Sequence, residues 1–99
     1  MINSKQRALL RSLAAKEDTI IQIGKGGITD AVSQQVLEAL TARELIKGRV
    51  LENSLLTARE ACDELCERCR ADAVQVIGSV FVLYKRNEQK PRIDIRVSR

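Results

Sequence analysis

Apolar residues along the chain switch between helical and alternating spacing, and the switches divide it into seven segments. Near the N-terminus Leu9, Leu10 and Leu13 cluster on one side of a helical wheel. Arg7 and Arg11 stand one turn apart beside that stripe, and Lys5 and Lys16 edge its other flank. Residues three and four apart share a helix face, so the pattern predicts a basic amphipathic helix capped by Ser4 and running to about Ala15. After a polar turn over residues 16–18, Thr19-Ile20-Ile21-Gln22-Ile23 is β-branched at all but one position, as a short strand is. It stops at Gly24-Lys25-Gly26-Gly27. Thr29 then suits an N-cap, Asp30 complements the positive end of a helix dipole, and Val32, Val36, Ala39 and Leu40 recur at helical spacing to about Ala42.

Residues 44–51 read as a second strand in which Gly48 marks a bulge or a close backbone approach. Thr57, with Glu60 three residues on, opens a third helix. Its inner stripe is Ala61, Cys62, Leu65, Cys66 and Cys69, and its outer face carries Glu60, Asp63, Glu64 and Glu67. Two strand-like runs, 74–77 and 80–86, flank Gly78-Ser79, a pair suited to a type II′ turn, so they should form an antiparallel hairpin. The order αβαβαββ predicts an α/β two-layer sandwich, helices packed on a mixed four-stranded sheet, over residues 1–86. Residues 87–99 form a basic tail in which Pro91 ends regular structure. Ile93, Ile95 and Val97 alternate there, the pattern of an extra edge strand or of a loose end.

A length of 99 residues with 44% hydrophobic and 30% charged side chains fits one compact, cytoplasmic domain. The most apolar stretch, 73–84, is broken by Gln75, Gly78 and Ser79, so no segment approaches the roughly 18 residues of a membrane span. The basic, acid-free start resembles a transit peptide as well, but the same residues serve the first helix. Charge is unevenly placed: residues 1–49 carry eight basic and five acidic groups, 50–84 three and six, and 85–99 six and two. Basic flanks around an acidic middle favour a polyanionic partner, with the acidic part facing away from it.

The chain has no histidine, which removes the commonest general base, and no carboxylate pair stands in a catalytic context, so no enzymatic activity is expected. Cys62-x-x-x-Cys66-x-x-Cys69 has the spacing of radical-SAM cluster ligands, but here it falls on the buried stripe of a helix in a chain too small for that barrel. A zinc site would lack its fourth ligand. The thiols are read as core hydrophobes, with metal or redox use as the alternative, and no cofactor is expected.

The glycine-rich loop fits neither a P-loop, which needs Gly-x-x-x-x-Gly-Lys-Ser/Thr, nor a dinucleotide fingerprint, whose third glycine is replaced by Thr29. What remains is a Gly-x-x-Gly turn between a strand and a helix. Glycines let backbone approach a nucleic-acid strand, N–H groups at the head of the next helix point outward, and Lys25 adds a mobile cation. KH domains clamp backbone nucleotides with such a loop, although between two helices. The alternative is a tight turn with no ligand.

Ile23-Gly24-Lys25-Gly26-Gly27-Ile28-Thr29, Glu44-Leu45-Ile46-Lys47, Val74-Gln75-Val76-Ile77-Gly78 and Leu83-Tyr84-Lys85 together resemble the YhbY-type CRM domain family, over nearly the whole chain. The resemblance implies a fold similar to the C-terminal domain of translation initiation factor three, and RNA binding. Stand-alone bacterial members associate with precursors of the large ribosomal subunit, and plant versions serve organelle intron splicing. It implies ribosomal RNA and that precursor as partners, with no membrane or small-molecule substrate, and places the family's loop on Gly24, Lys25, Gly26 and Gly27 and its basic position on Lys47. The expected RNA-binding set adds Thr29, Lys5, Arg7, Arg11, Arg49, Lys85 and Arg86. With Phe81 and Tyr84 the only aromatics, recognition should favour RNA shape over base stacking. Glu17, Thr19, Gly48 and Arg70 depart from the family's usual leucine, proline, valine and glycine. A rival reading is a ribosome-associated protein-interaction module that uses the acidic face of helix three.

Overall fold

A computed structural model describes residues 2–93 of the chain, as α1 (Ser4–Ala14), β1 (Thr19–Ile23), α2 (Asp30–Arg43), β2 (Leu45–Val50), α3 (Ala58–Cys69), β3 (Asp72–Ile77) and β4 (Val80–Tyr84). Caps set the helix starts. Thr29 and Thr57 accept from the N–H groups of Val32 and Glu60, as expected. At α1 the cap is Asn3, one residue before Ser4: its Oδ1 accepts from Gln6 N at 2.8 Å, and Gln6 Oε1 accepts from Asn3 N at 2.9 Å. Asparagine caps as well as serine does, and only Asn3 has a glutamine three residues on to close the reciprocal box.

The sheet order is β1-β2-β4-β3, with β1 and β2 parallel and the other pairs antiparallel. Because successive side chains alternate, β4 sends Phe81 and Leu83 to one face and Val82 and Tyr84 to the other. The first face packs on α2 and α3 through Val36, Leu40, Ala61, Cys62 and Leu65. The second is covered by α1, whose Leu10 and Ala14 meet Leu45, Val74 and Tyr84. This is the expected α/β class with a mixed four-stranded sheet, and α1 completes it from the side opposite the other two helices.

Gly48 marks a close approach. A Cβ placed there would stand 2.4 Å from Cζ of Phe81, its cross-strand partner, whose ring is wholly buried. The bulge lies opposite, in β1, where the register steps from Thr19↔Lys47 to Ile21↔Gly48. Glycine at 48, where the resembling family has valine, makes room for an aromatic ring. Gly48→Ala is expected to cost roughly 1–3 kcal/mol of overpacking, read as a lower urea midpoint, and Phe81→Leu in the same chain should recover most of it.

Glu44, expected to open β2, instead caps the C-terminus of α2 with φ of 66° and is wholly buried. Its carboxylate accepts three backbone hydrogen bonds at 2.7 Å: Oε2 from Asn87 N, and Oε1 from the N–H groups of Arg92 and Ile93. A buried carboxylate is tolerable only when so satisfied. Asn87 adds a bond from its amide to Thr41 O, and Ile93 packs on the α1-side core. Residues 87–93 are therefore an irregular segment tied to the body of the fold. Ile95 and Val97 lie outside the described residues.

Candidate nucleic-acid interface

The loop after β1 is a hydrogen-bonded turn in which Gly27 N donates to Gly24 O at 3.1 Å. Positive φ occurs at Gly27 (69°) and not at Lys25 or Gly26, the pattern of a type I turn with glycine at its fourth position. The two last glycines thus differ in kind. Gly27 holds a left-handed conformation that side chains disfavour. Gly26 has an ordinary backbone, and a Cβ there would meet nothing within 4 Å. Among the described residues, the N–H groups of Lys25 and Gly26 have no protein acceptor, and the Lys25 ammonium has no carboxylate partner. Lys25 is exposed at the tip. Thr29 Oγ1 accepts from Val32 N at 3.2 Å, and Asp30 in the first turn of α2 is held by Arg68 at 3.5 Å.

The parallel pairing of β1 with β2 brings the loop to the end of the sheet where β2 finishes and the β3–β4 turn sits. Alternation turns Ile46, Gly48 and Val50 toward α2 and α3, so Lys47 and Arg49 project from the α1 side. There α1 covers only the half of the sheet nearer Leu45. The uncovered half carries a row that crosses all four strands: Gln22, Arg49, Val80 and Ile77 are successive cross-strand partners. Ile77 is 61% exposed. Gln22 and Ile77 were absent from the sequence-derived set. The polar interruption of a β-branched run hinted at the first, and nothing local marked the second as exposed. A cavity of about 590 Å³ opens at the same end, with Arg49 on its wall beside residues 50–52 and the turn at Gly78 and Ser79.

The remaining expected residues do not join this patch. Lys5, Arg7 and Arg11 ride on α1, and Arg7 Nε donates to Ala73 O at 3.3 Å on β3, the strand farthest from β1. Lys85 and Arg86 follow β4 and so lie at the opposite end of the sheet from the loop. The Lys85 ammonium donates to Cys69 O at 2.9 Å, tying down the end of α3, and Arg86 faces Glu88 at 3.8 Å. On α3, Glu60 closes the capping box with Thr57, Asp63 meets Arg59 at 3.8 Å, and Glu64 meets Arg68 at 2.9 Å.

Cys62 and Cys69 are buried and Cys66 half-buried within the α3 stripe. The hydrogen bond shared with Cys62, with burial added, pushes the Cys66 thiol up, and burial pushes Cys69 up, so both stay protonated at neutral pH. Among the described residues no group of three histidine, cysteine or carboxylate side chains is gathered to hold a metal, and no helix is long and apolar enough to cross a membrane.

The CRS1 / YhbY (CRM) domain matches residues 2–85. The chain is 40% identical to the Bacillus subtilis protein YqeI, named a probable RNA-binding protein, over 96% of this chain and 99% of the relative. It is 30% identical to an RNA-binding protein of Haemophilus influenzae over 89% of each. The solution structure of SAV1595 from Staphylococcus aureus, described as a candidate RNA-binding protein, superposes with a TM-score of 0.65 at 43% identity, covering 90% of this chain and 96% of that one.

Proposed function

Because the chain belongs to the CRS1/YhbY (CRM) domain family, we propose that it binds ribosomal RNA in large-subunit precursors, as an assembly factor acting in the cytoplasm. The binding surface is the loop at residues 24–27 and the uncovered sheet face beside it. The observation that carries this reading is Gly26, where neither the backbone conformation nor the packing calls for glycine, while close approach of an RNA strand does. The two unpartnered N–H groups and Lys25 face that approach as phosphate ligands, with Lys47 and Arg49 extending the positive surface away from the loop. No catalytic step is asked of the chain, in keeping with relatives named for RNA binding.

The acidic face of α3 is a weaker docking surface than its composition suggests, because Glu60 and Glu64 are engaged within the helix. Lys25→Gln tests the reading. It should lower affinity for several unrelated RNA hairpins by a similar factor, and reduce the slope of log K against log salt by about one, as loss of one phosphate contact does. Fluorescence anisotropy over a salt series measures both. An unchanged slope, or a loss confined to one hairpin sequence, would show that Lys25 is not a phosphate ligand.

A further inference from the structure

At the far edge of the sheet, α1 and α3 overhang β3 from opposite faces and bring three arginines to one place. Arg7 and Arg11 of α1 and Arg59 of α3 line an open groove of about 470 Å³ whose remaining wall is residues 73–76, with no carboxylate among the lining residues. The bond from Arg7 Nε to Ala73 O at 3.3 Å fixes that guanidinium and leaves its terminal nitrogens to the groove. Among the described residues Arg11 has no ion-pair partner, and Arg59 has only Asp63 at 3.8 Å with both side chains largely exposed, a weak competitor for its charge. Three guanidiniums that line one groove, with only that exposed pairing to offset their charge, repel one another, and an anion relieves that repulsion.

We propose that this groove is a second phosphate-binding site, which takes a backbone phosphate of the same RNA that the loop engages; the inference rests on the RNA-binding reading above. Three inter-strand steps of about 4.8 Å put roughly 14 Å between the β1 and β3 edges. The row Gln22, Arg49, Val80 and Ile77 runs between them, so RNA lying along it meets the loop at one edge and the groove at the other. The chemistry favours phosphate over an acidic peptide added as a fifth strand. Such a strand needs the free carbonyls of the β3 edge, and Arg7 already occupies that of Ala73. Arg59 thereby enters the binding surface from the helix whose acidic residues suggested that it faces away.

The test compares the full chain with Arg59→Gln, Arg59→Lys and Arg43→Gln in binding a fluorescein-labelled RNA hairpin across a salt series. Arg43 pairs with Glu17 on the far side of the molecule and controls for loss of net charge. Arg59→Gln should weaken binding roughly three- to tenfold and reduce the salt slope by about one, Arg59→Lys should keep the slope, and Arg43→Gln should change affinity less than about twofold. Combined with Lys25→Gln, the Arg59→Gln loss should multiply, as for separate sites. If Lys25→Gln weakens binding and Arg59→Gln matches Arg43→Gln, the groove is not a phosphate site although the loop reading stands. If Arg59→Gln instead abolishes binding of a poly-glutamate peptide and spares the hairpin, the groove serves protein and the proposal falls. If the parent binds no RNA hairpin, both readings fail together.

Discussion

Gly26→Asp should lower affinity for structured RNA on the order of ten- to a hundredfold while leaving the thermal midpoint within a few degrees of the parent. The site allows this separation, because a side chain at 26 points into open space and the backbone there is not left-handed. Stability therefore has little reason to change. Binding has two, since the new β-carbon stands where backbone would meet the RNA strand, and its carboxylate lies against phosphate. Gly26→Ala isolates the steric part and should fall between parent and aspartate. Substituting Gly27 would confuse the two effects, because its φ of 69° strains most side chains whatever binds. Gel-shift titration and a melting curve on the same preparation decide the matter. A well-folded Gly26→Asp chain that binds RNA like the parent would remove the loop from the interface.

Glu44→Ala should produce the largest loss of stability, about 3 kcal/mol or more, with RNA affinity of the folded fraction unchanged. Truncation leaves three backbone N–H groups, those of Asn87, Arg92 and Ile93, without their charged acceptor in a part-buried setting. Glu44→Gln keeps one carbonyl oxygen but turns an amide toward at least one of those donors, so it should cost less than alanine and more than a surface change. Urea denaturation measures the loss, and limited proteolysis should show new cleavage within 85–93 before the rest of the chain yields. Glu44 stands at the entrance to β2, the end of the sheet away from the loop, which is why affinity should be spared. Preserved resistance to cleavage in 85–93 would mean that packing of Ile93, rather than the carboxylate, holds the segment.

Much of this molecule was legible in residue order alone, for reasons that act within a few residues. Helical spacing of Val32, Val36 and Leu40, the β-branched run ending at Ile23, and the Thr57–Glu60 capping box each depend on neighbours no more than four positions away, so these elements fell where the pattern put them. The Gly-x-x-Gly turn and its lysine were visible for the same reason. Local pattern could not decide which residues meet across the sheet. Gly48 is explained by a ring 33 positions away, and Glu44 by donors 43 to 49 positions away. Nor could it sort the basic residues. Similar in sequence, they are divided by topology among the loop end, the β3 edge and the foot of β4, where Lys85 caps α3. Charge and periodicity are properties of neighbours along the chain, whereas strand order and the choice of face are settled only when the whole core closes.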